Sequence, residues 1–186
     1  MDRPWLLFVS GAPCSGKSVL AGRLARDIGW PLYSKDAFKE LLFETLGSGD
    51  ADWSRRLSQA AFALQFAAAE GAVAAGTSVL LEGNFRAGEH SSRLLAVRAR
   101  LVQVACTAAP GLLESRHRAR ATAGARHAGH LDAAREWNPA DAARHAPLPV
   151  KPTLVYDSSP GRDREYPELL ARLAALGLPF GPQRGA

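Results

Sequence analysis

The chain has 186 residues, 47% of them hydrophobic, with 23 Lys and Arg against 18 Asp and Glu and a formal charge of +5. That length and apolar content suit one domain over residues 1–186 whose core needs no staple, and the two cysteines, Cys14 and Cys106, stand at spacings that exclude a disulfide framework or a cysteine zinc site. A reducing cytoplasm is then the simplest compartment, and no apolar run approaches the ~20 residues that a membrane span needs.

Taken in chain order, residues 5–9 (Trp-Leu-Leu-Phe-Val) read as a buried strand, and 18–28 as a helix with Val19, Leu20, Leu24 and Ile28 at helical spacing. Between them, Gly11-Ala12-Pro13-Cys14-Ser15-Gly16-Lys17-Ser18 completes the pattern GxxxxGK[ST]. A glycine turn between a strand and a helix directs backbone N–H groups and the positive helix end at a phosphate. Lys17 adds a point charge and the Ser18 hydroxyl a Mg²⁺ ligand. A second strand is expected over 31–34 and a helix over 37–46, closed by Gly47. Apolar positions at Leu57, Ala61, Leu64, Ala68 and Val73 predict a long helix over 52–75. A third strand over 78–82, a glycine loop, a helix over 89–98 and a fourth strand over 101–106 continue the alternation. Pro110 opens a helix reaching about residue 121. Residues 122–149, rich in His, Ala, Arg and Pro, read as a lid with short helical pieces, the whole lid spanning about 116–149. A fifth strand over 153–157 and a helix over 165–176 complete the chain.

Strands separated by helices imply a parallel sheet covered on both faces, with ligands at the carboxyl ends of the strands. The expected fold is therefore an α/β phosphate-loop three-layer sandwich with a five-stranded parallel sheet. Asp36 follows the second strand, where its carboxylate could take a proton from an attacking hydroxyl; the plainer alternative is that it caps the next helix. Lys39 is a candidate for an anionic acceptor or a solvated surface lysine. Glu82 ends the third strand and is a candidate for a Mg²⁺-bound water, since that ion keeps several waters and few protein oxygens. Asn84 and Arg86 lie in the following loop as candidate acceptor contacts. Arg116 and Arg120, four residues apart, share a helix face that suits a triphosphate, while Arg118 points elsewhere. Arg126, His127 and His130 are candidate lid contacts; no carboxylate or cysteine completes a zinc set with the histidines.

With the phosphate loop, Ser34-Lys35-Asp36, Leu81-Glu82-Gly83-Asn84-Phe85-Arg86 and Arg126-His127-Ala128-Gly129-His130 in place, the chain resembles the AAA_33 group of small kinase-like proteins. Its relatives include zeta toxins, chloramphenicol phosphotransferase and the kinase domain of polynucleotide 5′-kinases. The resemblance implies a sheet of nucleotide-kinase type, ATP and Mg²⁺ on Lys17 and Ser18, Asp36 as the base that activates the acceptor, and Arg116 and Arg120 as lid arginines. Where the polynucleotide kinases usually carry Arg-Asp, this chain has Lys35-Asp36, and Lys39 stands where they hold the acceptor phosphate with arginine. Lysine is the poorer bidentate clamp.

Those features predict an ATP-dependent phosphotransferase acting on a small-molecule hydroxyl, as a monomer or weak homodimer. A polynucleotide 5′-hydroxyl kinase is the rival enzyme, with nucleic acid the less favoured acceptor. An ATP-binding switch or slow ATPase is the alternative of another class. No Asn-Lys-x-Asp guanine signature occurs, which disfavours a GTPase.

Overall fold

The computed structural model describes residues 3–122, 127, 138, 140–159, 161 and 163–180. Among them, β1 (Trp5–Ser10), β2 (Leu32–Ser34), β3 (Val79–Glu82), β4 (Arg100–Thr107) and β5 (Thr153–Asp157) form one parallel sheet in the order β2-β3-β1-β4-β5. The crossovers carry α1 (Lys17–Ile28), α2 (Lys35–Leu46) with α3 (Ala51–Ala74), α4 (Ala87–Ala96), and α5 (Pro110–Thr122) with α6 (Ala140–Ala143); α7 (Tyr166–Ala175) follows β5.

Every residue of β1 is buried, as a parallel strand covered on both faces requires. Alternate side chains enter opposite layers. Trp5, Leu7 and Val9 pack with Leu24 and Ile28 of α1 and Leu173 of α7, whereas Leu6 and Phe8 pack with Phe66 of α3, Phe85 and Leu94 of α4. The result is the expected three-layer α/β/α sandwich. The chain leaves β1 toward β2 and β3 on one side and reaches β4 and β5 on the other, so strand order switches beside β1. Ligand crevices form at such a switch.

Three expectations change in detail. Helix α2 begins at Lys35, with Ser34 in the N-cap position, so Asp36 is the second helical residue and does not cap the helix. Helix α4 begins at Ala87, because the amide of its N-cap residue Arg86 donates to Nδ1 of His90 at 2.9 Å, a partner that usual capping patterns do not include. In α3 the buried residues are Leu57, Ala61, Gln65, Phe66, Ala69 and Val73, with Leu64 turned out to 45% exposure.

Candidate functional site

The phosphate loop is shaped by what its glycines alone permit. At Gly11 (φ 151°) a Cβ would lie 2.3 Å from the Cys106 carbonyl oxygen, and Gly16 (φ 88°) occupies the left-handed N-cap of α1. Cys14 also takes a left-handed conformation, φ 66°, which a side chain adopts only under constraint. The constraint is visible: the Ser15 amide donates to the Ala12 carbonyl at 3.2 Å, and the Ser15 carbonyl accepts both the Ser158 hydroxyl (2.8 Å) and the Cys106 thiol (3.0 Å). Burial pushes the Cys106 thiol up to about 11, so it stays protonated and donates. Lys17 is buried, with Nζ 3.4 Å from the Ala12 carbonyl oxygen, folded back over the loop it serves.

Glu82, 1% exposed, gathers the neighbouring strands. Its Oε1 accepts the Ser18 hydroxyl at 3.1 Å and its Oε2 the Ser34 hydroxyl at 2.6 Å. A hydroxyl and a carboxylate converging beside a phosphate loop form an all-oxygen donor set, which fits Mg²⁺. The described residues contain no cluster of three or more His, Cys, Asp or Glu, and Mg²⁺ held with phosphates and waters needs none.

Two residues beyond Ser34, the Asp36 carboxylate lies 3.2 Å from Lys35 Nζ. Lys39, one helical turn further, is 5% exposed and donates to Ser54 of α3 at 2.8 Å, so it is not a solvated surface lysine. Asn84 is half-buried, and its Oδ1 is fully enclosed with no hydrogen-bond partner among the described residues. Arg86 turns instead to Glu89 at 2.8 Å, and that bond holds the Glu89 carboxyl below its ordinary range.

Of the two arginines expected to share a helix face, only Arg116 reaches the loop. The Arg116 guanidinium donates to the Cys14 carbonyl (3.3 Å), the Ser158 hydroxyl (2.8 Å) and the Ser158 carbonyl (3.0 Å). Arg120 is exposed, because four residues at ~1.5 Å rise carry it about a turn further out. Arg118 pairs with Glu114 on the solvent side. His127 packs edge-on against Phe43 and lies 3.3 Å from Glu44, at the far end of α2. Arg126 and His130 lie outside the described residues. Sequence reasoning missed Ser158 and Gln65, and took Ser34 only as part of Ser34-Lys35-Asp36 without its bond to Glu82; a small hydroxyl residue directly after the fifth strand is the one signal that pointed to Ser158.

Beside Gly16 a cavity of about 330 Å³ opens, lined by Val19, Arg23, Tyr156, Ser158 and Tyr166. It continues outward from the phosphate loop, and Arg23 stacks on the Tyr166 ring at 3.8 Å.

Residues 6–138 match the model of the AAA_33 family, described as an AAA domain. The chain belongs to this family. Its structure is similar to that of a protein from Chloroflexus aurantiacus J-10-fl provisionally named a kinase, with TM-score 0.83 and 31% identity over 94% of this chain and 98% of that one. A gluconokinase from Sinorhizobium meliloti 1021 (TM-score 0.54, 19% identity, 95% of each chain) shares the fold. So does the Mycobacterium tuberculosis APS kinase CysC, solved with AMPPNP and APS (TM-score 0.57, 19% identity, 95% of this chain and 98% of that one). No curated protein matches the sequence. This AAA_33 member therefore has the fold of phosphate-loop kinases. Among its described residues no helix is long and apolar enough to cross a membrane.

Proposed function

We propose that this protein transfers the γ-phosphoryl group of ATP to a hydroxyl of a small-molecule acceptor. The observation that carries the reading is the bridge from Ser18 through Glu82 to Ser34, which ties the phosphate loop to the strand end leading into Asp36. A mere nucleotide-binding turn has no need of a second strand end held against it.

In this reading the loop amides and Lys17 hold the phosphates, and the nucleoside enters the cavity beside Gly16. Ser18 and Glu82 would hold Mg²⁺, which when bound would supply neutralisation of phosphate charge. Asp36 accepts the acceptor's hydroxyl proton as the new P–O bond forms and the bond to the β-phosphate oxygen breaks, leaving ADP. Arg116, already docked on the loop, offsets charge that spreads over the transferring group. Lys39 and Asn84 face the acceptor. The buried ammonium of Lys39 suits an acceptor that carries an anionic group.

The test is acceptor-dependent ADP release across a panel of hydroxyl compounds, with Lys17→Ala as control, which should lose more than roughly a hundredfold. Strong stimulation by a single-stranded oligonucleotide, collapsing with salt, would move the activity to nucleic-acid ends. Slow ADP release indifferent to every acceptor would leave an ATPase or switch. Near-normal turnover by Lys17→Ala would remove the phosphate loop as the site.

A further inference from the structure

We propose that Gln65 is a positioning residue for this reaction: its carboxamide fastens the carboxyl ends of β2 and β3 to one another and so sets Glu82 and the start of α2 against the phosphate loop. The inference rests on the phosphotransferase reading above.

The buried residues of α3 are Leu57, Ala61, Gln65, Phe66, Ala69 and Val73, and the polar member is 0% exposed while the adjacent Leu64 is 45% exposed. Apolar burial alone would favour the opposite arrangement. A side chain that breaks the pattern of its own helix marks a site where something other than packing decides. Here it is hydrogen bonding. The Gln65 Nε2 group has two hydrogens, and it donates to the Tyr33 carbonyl at 2.7 Å and the Glu82 carbonyl at 2.8 Å.

Those carbonyls belong to the last stretch of the β2–β3 ladder, where Tyr33 pairs with Leu81 and Ser34 with Glu82. Strand β2 is three residues long and lies at the sheet edge, so few ladder bonds hold its end. The next residue after Tyr33 is Ser34, which bonds the Glu82 carboxylate, and two residues later comes Asp36. One amide thus clasps the strand that carries the metal-side carboxylate to the strand that delivers the base. Its Oε1 is buried with no hydrogen-bond partner among the described residues. An unmade bond on a buried acceptor is destabilising, so what the amide supplies at this position is its two donor bonds.

Gln65→Met keeps the length and apolar volume and removes both donors. The readouts are melting temperature, ATP affinity without divalent metal, Mn²⁺ affinity by EPR with a nonhydrolysable ATP analogue, and the kcat and KM of transfer. The clasp predicts metal-free ATP affinity within about twofold, because the loop on β1 and α1 is untouched, while Mn²⁺ affinity and kcat each fall by roughly tenfold with acceptor KM nearly unchanged. Gln65→Asn, whose amide is one methylene too short to span both carbonyls, should lose in the same direction, and it is read in place of Gln65→Met if that variant does not fold. Wild-type Mn²⁺ affinity and kcat in the folded variant, whatever its melting temperature, would overturn the proposal and leave Gln65 a packing residue. A wild-type protein that binds no Mn²⁺–nucleotide complex would overturn the phosphotransferase reading itself, together with the clasp.

Discussion

Asp36→Asn separates catalysis from architecture. The residue sits in the first turn of α2, with its side chain 28% exposed and Lys35 Nζ at 3.2 Å. Replacing carboxylate by amide removes a negative charge from the positive end of a helix, which costs about 0.3–1 kcal/mol, and weakens a partly solvated ion pair that contributes about 1 kcal/mol or less. For a chain of this size, at ~2–4 °C per kcal/mol, the melting temperature should fall by only ~1–8 °C. The chemical effect is far larger. A positioned general base contributes ~10²–10⁴ in rate, or about 2.7–5.4 kcal/mol of the barrier, and an amide cannot accept the proton. ATP affinity depends on the loop of β1 and α1 and should stay within about twofold, since a group used only as the hydroxyl attacks adds nothing to ground-state binding. One preparation measured by ATP titration, thermal melt and acceptor phosphorylation gives all three numbers. Transfer within about threefold of wild type, with a confirmed acceptor, would refute the assignment of Asp36 as the base.

The arginines of α5 should differ sharply: Arg116→Ala, which loses the bonds to Cys14 and Ser158, should cut kcat by roughly a hundredfold, whereas exposed Arg120→Ala should stay within about threefold in the same assay. Equal losses would mean that both reach the nucleotide. A pH effect on stability follows from His90, whose pKa burial holds below its ordinary 6.5 against the raising influence of the backbone hydrogen bond with Arg86 and of the Glu89 charge, the Arg86 and Lys35 charges adding to the lowering. Because the folded value lies below the unfolded one, this contribution is complete above about pH 6.5 and is lost as pH falls. The melting temperature should therefore drop between pH 7.5 and 5.5, a window in which Glu70 and Glu89, both lowered by arginine partners, stay ionised. His90→Phe should flatten that slope, and an unchanged slope would show that another group sets it.

The sequence by itself determined the elements whose signals are local. The glycines, Lys17 and Ser18 of the phosphate loop act within one turn, the apolar runs of β1, β3 and β4 reflect burial on both faces, and β5 lies where the residues predict it. The strand-end placement of Glu82 follows from the same patterning. Tertiary structure alone decided which neighbours meet across the chain. Ser18 and Glu82 are 64 residues apart, Arg116 and Ser158 are 42, and Gln65 and Tyr33 are 32. No local pattern encodes those pairings. The burial of Lys39 against α3 and the separation of Arg116 from Arg120 depend in the same way on how helices pack. In α3 the ambiguity is angular: adjacent helical residues differ by only about 100° around the axis, so periodicity alone allows a broad stripe to include either Leu64 or Gln65. Hydrophobicity favours the leucine, and the carbonyls at the ends of β2 and β3 require the glutamine.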